Sequence, residues 1–321
     1  MNLENFPKLP EVKKAIAKLQ RTEFPIYSEG TDISDFVKKV TAIIEKEIAP
    51  IISFKQPLEL NNFSFRFFRA RDLNSITNIN LIRDHSYPPI NNVGMGRCHF
   101  PKLPVFYCSD SALISLIEVI KNQDNSTKKY CVSKWEIIPS IGQLIFESFV
   151  QIGLPKGNNY KVFSESIGGK IEKIIRENTN FKIEKIRIKG LVEFLKFLDN
   201  SFISDNNYSL SAALAYNSLY INHPSRTDIL MYPSVQSRYK GMNFAIHPNF
   251  VENNLKMSRL YIMEVKDFNL KTNKIEVSVY KYAEVEKNII VWKGVNKEDN
   301  HYNSIVKQDF GNMLNGKFEN I

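Results

Sequence analysis

The 321-residue chain carries 43 Lys and Arg against 34 Asp and Glu, a formal charge of +9, with 43% hydrophobic and 24% charged residues. This is enough apolar material for a real core and excludes a wholly disordered chain; the length suits one large domain or a catalytic domain with an appendage. The positive charge suits an anionic partner, but the basic residues are spread out, and the absence of a dense Lys/Arg tract or an aromatic-rich basic repeat argues against nucleic-acid binding.

The first sixty residues read as helical. Pro10 to Leu19 opens with Pro and sets Val12, Ile16 and Leu19 at helical spacing. After the turn-like Ser28-Glu29-Gly30-Thr31-Asp32, a second amphipathic run carries Phe36, Val37, Val40, Ile43, Ile44 and Ile48 on one stripe, and Pro50 ends it. Phe63 to Arg69 alternates and reads as a strand, followed by a loop rich in Asn, Pro and Gly through 74–97. Pro104 to Ser109 is a short apolar strand, after which Asp110 or Ser111 caps a helix running to about Asn122. Strands are expected at 129–138 and 142–149, helices at 159–178, 185–203 and 208–220. Late strands are expected at 228–232, 243–247, 258–267, 275–285 and 288–293. The elements alternate without a regular βαβ repeat, so an α+β fold with a mixed or antiparallel sheet and flanking helices is expected.

Several familiar signals are absent. Gly94-Met95-Gly96 begins like a dinucleotide fingerprint but lacks its third glycine and its strand-to-helix setting, and there is no P-loop. The five histidines, at 85, 99, 223, 247 and 301, have no metal-ligand spacing, so no metal is expected. Cys98, Cys108 and Cys131 form neither an even framework nor a C-x-x-C pair, which points to a reducing compartment. Met1 to Pro7 has no signal-peptide pattern, and no run of about 18 apolar residues marks a membrane span. A cytoplasmic, non-membrane protein is expected.

A more specific pattern remains. One stretch reads Phe68-Arg69-Ala70-Arg71, then Gly94-Met95-Gly96-Arg97, then Pro104-Val105-Phe106-Tyr107-Cys108-Ser109, then Leu116-Ile117-Glu118. Much later come Asp228-Ile229-Leu230-Met231-Tyr232-Pro233-Ser234-Val235-Gln236 and Gly241-Met242-Asn243-Phe244-Ala245-Ile246-His247-Pro248. In order and residue type this resembles the RES-domain family, named for its Arg, Glu and Ser, which includes the toxin halves of bacterial toxin–antitoxin pairs. The likeness covers roughly residues 60–250. Cys98-His99-Phe100 follow the Gly-Arg, where the family commonly has Asn or Trp. The resemblance implies an ADP-ribosyltransferase-like fold, NAD⁺ as substrate rather than cofactor, and cleavage by hydrolysis or phosphorolysis. In some members ADP-ribose is instead transferred to a protein, and many act beside an antitoxin.

The chemistry wants such residues. Breaking the nicotinamide–ribose bond builds positive charge on the sugar through an oxocarbenium-like state. Nicotinamide departs neutral, so no general acid is needed and a single carboxylate suffices. Glu118 can stabilise the cationic ribose or hold its hydroxyls; read blandly, it is a surface carboxylate on its helix. Arg69 and Arg97 offer planar charged forks suited to a pyrophosphate, with Arg66 and Arg71 as rivals for the first. Tyr107 can stack on nicotinamide or adenine, or simply pack beside Phe106. Ser234 can orient nicotinamide or Glu118, or be an ordinary turn residue after Pro233. Ser109 and Asn243 are secondary binding candidates.

The expected arrangement is an N-terminal helical extension, 1–58, and a RES-like catalytic domain, 59–321, with a helical insertion at 150–205. The expected activity is that of an NAD⁺ glycohydrolase or phosphorylase serving as a growth-inhibiting toxin or defence effector, with an antitoxin or immunity protein as partner. The alternatives are an ADP-ribosyltransferase and a non-catalytic module that binds nucleic acid or protein.

Overall fold

The computed structural model describes residues 3–62, 65–120, 128–150, 153–165, 184–269 and 274–311. In chain order its elements are α1 (Leu9–Leu19), α2 (Ile33–Glu47), β1 (Lys55–Glu59), β2 (Arg66–Asp72), β3 (Phe106–Ser109), α3 (Ala112–Ile120), β4 (Lys128–Ile137), β5 (Gln143–Ser148), α4 (Lys185–Ser204), α5 (Ser209–Leu219), β6 (Ile229–Pro233), β7 (Met242–Ile246), α6 (Pro248–Asn254), β8 (Leu255–Asn269), β9 (Lys274–Glu286), β10 (Ile289–Gly294) and α7 (Asn300–Phe310). The chain is thus mixed α/β, with parallel and antiparallel strand pairing and flanking helices. It divides into two compact units, one of Met1–Gln56, Ile90–Pro104 and Ile145–Pro233, the other of Pro57–Pro89, Val105–Leu144 and Ser234–Ile321.

In the first unit, α1 starts where Pro10 needs no amide partner and Glu11 Oε2 takes the Lys8 N–H at 2.6 Å. Asp32 caps α2 by accepting Asp35 N–H at 2.9 Å, and the buried stripe is Phe36, Val37, Val40 and Ile44. The residues expected as a separate extension share their unit with 90–104 and with α4 and α5. α1 packs along α4 at Gly190, where an added Cβ would stand 2.6 Å from the Pro7 carbonyl oxygen. Phe100 meets the rings of Tyr27, Phe36 and Tyr216 edge-on at 5.1, 5.8 and 5.9 Å, which fixes the 90–104 segment among the helices. β5 and β6 pair in parallel, Phe146 opposite Ile229. The helix expected over 159–178 falls largely outside the described residues.

The second unit is built on antiparallel pairs in the order β7-β3-β2-β4-β8-β9-β10. Side chains alternate along β2. Phe68 and Ala70 enter the core with Ala112, Leu116 and Ile120 of α3 and Ile305 and Phe310 of α7. Phe67, Arg69 and Arg71 take the other face, where Phe106 meets Trp135 at 5.2 Å and the buried His85 approaches the Cys131 thiol at 3.7 Å. Lys134, 1% exposed, is held by Asp309 Oδ1 at 2.8 Å and so ties α7 to the sheet.

Three elements go beyond the sequence reading. β1 was hidden by Pro57 within a polar run. α6 is a seven-residue helix opened by Pro248, with the His247 ring accepting Asn249 N–H at 3.2 Å. α7 had a legible signal, Asp299 capping His301 N–H at 2.8 Å ahead of Tyr302, Ile305 and Val306 at helical spacing.

Candidate active site

The register of β3 on β7 sets Ser109 opposite Asn243 and Tyr107 opposite Ala245, on one face of the pair. Because Phe68 lies opposite Ser109, that face is also the one covered by α3. α3 buries Ala112, Leu116 and Ile120 and turns Glu118 to its flank, partly exposed, toward Asn243.

Glu118 Oε1 accepts two hydrogen bonds, from Ser234 Oγ at 2.6 Å and from Asn243 Nδ2 at 2.7 Å. Asn243 Oδ1 in turn accepts from Ser109 Oγ at 2.8 Å, so four side chains form one continuous run. Ser109, Ser234 and Asn243 are buried, and the run is therefore held by groups with nowhere else to bond. Glu118 Oε2 has no hydrogen-bond partner among the described residues.

Ser234 is aimed by its own loop. Ser237 N–H donates to Ser234 Oγ at 3.1 Å, which occupies one lone pair and leaves the single hydroxyl proton for Glu118. Ser237 Oγ donates to the Ser234 carbonyl at 3.1 Å and accepts Gly241 N–H at 3.2 Å. The turn passes through Arg238 and Tyr239 at φ of 55° and 63°, a left-handed pair that costs roughly 1 kcal/mol or more per residue. Tyr239 N–H to Ser234 O, at 2.8 Å, is among the bonds that hold it. Ser237 was not singled out from the sequence, where a serine inside a polar turn carries no distinguishing signal.

The other named residues are placed elsewhere. Tyr107 stands two residues before Ser109 on the same face, half-buried. Arg69 is on the opposite face of β2, its guanidinium 5.4 Å from the Phe106 ring and its Nη1 bonded to the Tyr107 carbonyl at 2.8 Å. Its Nε is buried and unpartnered; burial, then Arg71, brings the group down to about 10, so it stays charged at neutral pH. Arg97 belongs to the first unit, where its Nη1 bonds the Phe202 carbonyl and its guanidinium lies 5.4 Å from the Tyr208 ring. There it neutralises the carbonyl end of α4, as a cation does at a helix C-terminus. Glu118, Ser234, Asn243 and Ser109 are therefore brought together, and the hydrogen bonds of Arg69 and Arg97 go to the Tyr107 and Phe202 carbonyls.

Among the described residues no group of three His, Cys, Asp or Glu could hold a metal, and no helix is long and apolar enough to cross a membrane. Cys98, Cys108 and Cys131 are buried and form no disulfide. What the arrangement offers chemically is a carboxylate pinned at one oxygen by two neutral donors, with the other oxygen available to a cation or hydroxyl. In comparison with known proteins, no family model and no curated protein matches the chain.

Proposed function

We propose that this protein cleaves NAD⁺ at the nicotinamide–ribose bond, as a glycohydrolase or phosphorylase, on an ADP-ribosyltransferase-like scaffold. One observation carries the reading: Glu118 is met by Ser234 and Asn243, residues 116 and 125 positions away that were selected as candidates on chemical grounds and family resemblance. In this reading Ser234 and Asn243 hold the carboxylate through Oε1, and Oε2 faces the ribose. As the C1′–N bond lengthens its electron pair leaves with nicotinamide, and the fixed charge of Glu118 stabilises the cationic sugar without reorganising. Water or phosphate then adds at C1′. In this reading Tyr107, on the same strand face as Ser109, stacks on nicotinamide or adenine.

Arg69 serves this site through the strand, since its bond to the Tyr107 carbonyl holds β3 in place. The reading does not need Arg97, which is engaged with the end of α4. The biological setting is growth inhibition through the cytoplasmic NAD⁺ pool, with an antitoxin or immunity protein as partner; its support is the RES-domain resemblance.

The test is NAD⁺ loss with free nicotinamide quantified, for wild type and Glu118→Ala, with and without phosphate. Nicotinamide release is expected from wild type and is expected to drop by on the order of 10²- to 10³-fold in the variant. ADP-ribose as product marks hydrolysis and its 1-phosphate marks phosphorolysis. Label retained on a protein acceptor would instead mark ADP-ribosyl transfer. Intact NAD⁺ under every condition, with folded protein, overturns the proposal.

A further inference from the structure

Asp110 lies between β3 and α3, one residue beyond Ser109, and the chemistry above does not use it. It is not the cap of α3, because Ser111 Oγ takes that role by accepting Ile114 N–H at 3.1 Å. Asp110 grips the start of β7 instead. Its N–H donates to the Met242 carbonyl at 3.0 Å, and its carboxyl group lies against the backbone of Met242 and Ser111. Met242 is thereby tied to Asp110 through its carbonyl. Its two neighbours are the ones that matter to Glu118: the Gly241 carbonyl accepts Ser234 N–H at 2.9 Å, and the Asn243 side chain bonds Glu118 itself.

The second carboxyl oxygen is in a different situation. Asp110 keeps a partly exposed edge, but Oδ1 is shut off from solvent and has no hydrogen-bond partner. A Cβ on Gly241 would stand 3.0 Å from Oδ1 and 2.4 Å from Ile114 Cγ1, so only glycine lets the loop close onto Asp110 and α3. A charged oxygen without a donor is costly in such a place, whereas a carboxylic acid is tolerated.

We propose that Asp110 is a positioning residue of the Glu118 site, its backbone N–H and close-packed carboxyl seating Met242 and Gly241 and, through them, Ser234 and Asn243 on Glu118. Burial outweighs the backbone N–H groups and pushes Asp110 up to about 7. No charged side chain is among the causes of that shift, neither Glu118 on α3, nor Arg238 and Lys240 on the loop, nor His247 beyond the far end of β7. The titratable neighbour on β3 is the Cys108 thiol, which burial pushes well above its ordinary range and keeps neutral. Above neutral pH Asp110 ionises, and Oδ1 finds solvent or a donor only by parting from Gly241.

The kinetic half of this inference rests on the NAD⁺ reading; the structural half does not. An NMR titration across neutral pH tests the structural half. The Asn243 side-chain amide and the Gly241 and Met242 backbone amides are expected to shift together with a midpoint near the Asp110 value of about 7, and Asp110→Asn to abolish that shift. In the nicotinamide assay, wild-type kcat is expected to fall above the same midpoint with KM steady, and Asp110→Asn, which mimics the neutral acid, to lose that fall. Asp110→Ala is expected to lower kcat on the order of tenfold at every pH by loosening the geometry. An Asn243 amide indifferent to pH in wild type, or an identical titration in Asp110→Asn, overturns the inference. If no variant releases nicotinamide, the NAD⁺ reading falls and the NMR titration alone decides the role of Asp110.

Discussion

Asn243 can satisfy both of its neighbours in only one orientation of its amide. A carboxylate accepts and does not donate, so Nδ2 must face Glu118, and Oδ1 is left to take the Ser109 hydroxyl. Replacing Asn243 by Ala deletes one of the two donors to Oε1 and strands Ser109 in a buried place. Nicotinamide release is expected to fall by about 10²-fold, with a stability loss of roughly 1–3 kcal/mol by urea denaturation. Asn243→Asp is expected to be worse for activity, because it sets a second acidic group against the first. Equal turnover by Asn243→Asp and wild type would remove Asn243 from the site. At this scale the sequence was informative about residue type and silent about direction. Glu118, Ser234, Asn243 and Ser109 stood out by chemistry and order. The side of β2 on which Arg69 lies depends on pairing with Ser109 and Ser133, which alternation within one strand does not reveal.

Helix α4 contains a glycine where propensity alone would place alanine. Gly190→Ala in an unconstrained helix would gain about 1 kcal/mol. Here the new Cβ would meet the Pro7 carbonyl oxygen at 2.6 Å and the Leu9 nitrogen at 3.2 Å, both backbone atoms that cannot rotate away. Overpacking of that kind costs typically about 1–3 kcal/mol, so the net effect is expected to be destabilising. Chemical denaturation of Gly190→Ala checks it; a variant more stable than wild type would mean that the entry to α1 yields freely. The periodicity of α4 and the stripe of α2 were legible because each helix buries a broad apolar face in its own segment. What covers that face was not legible, since the partners of α4 include a helix from the far N-terminus. The parallel pairing of β5 with β6 was equally hidden, as 80 or so residues separate Phe146 from Ile229.

Over the whole molecule, buried ionisable groups pull stability in opposite directions with pH. Burial raises Asp110 from 3.8 to about 7, and between those values the folded chain binds the extra proton, so this group's stabilising contribution is lost as pH rises. His99 has the opposite sign. Burial lowers it from 6.5 to about 4, the unfolded chain binds the proton in that window, and its contribution is complete above 6.5 and lost as pH falls toward 4. His85 is lowered as well, with burial again the largest cause. The wild-type profile is a difference of these slopes, so a single variant is needed to isolate one of them. His99→Gln removes one titration, and the stability gap between wild type and variant is expected to shrink as pH falls from 6.5, by up to about 1.4 kcal/mol per unit. The probe matters because both tryptophans, Trp135 and Trp292, lie in the second unit, whereas His99 lies in the first. Far-UV circular dichroism, whose whole-chain signal includes the helices α1, α2, α4 and α5 of that unit, is therefore the measurement to follow. A gap that stays constant with pH in that signal would show that His99 already titrates in the folded protein as it does in the unfolded one.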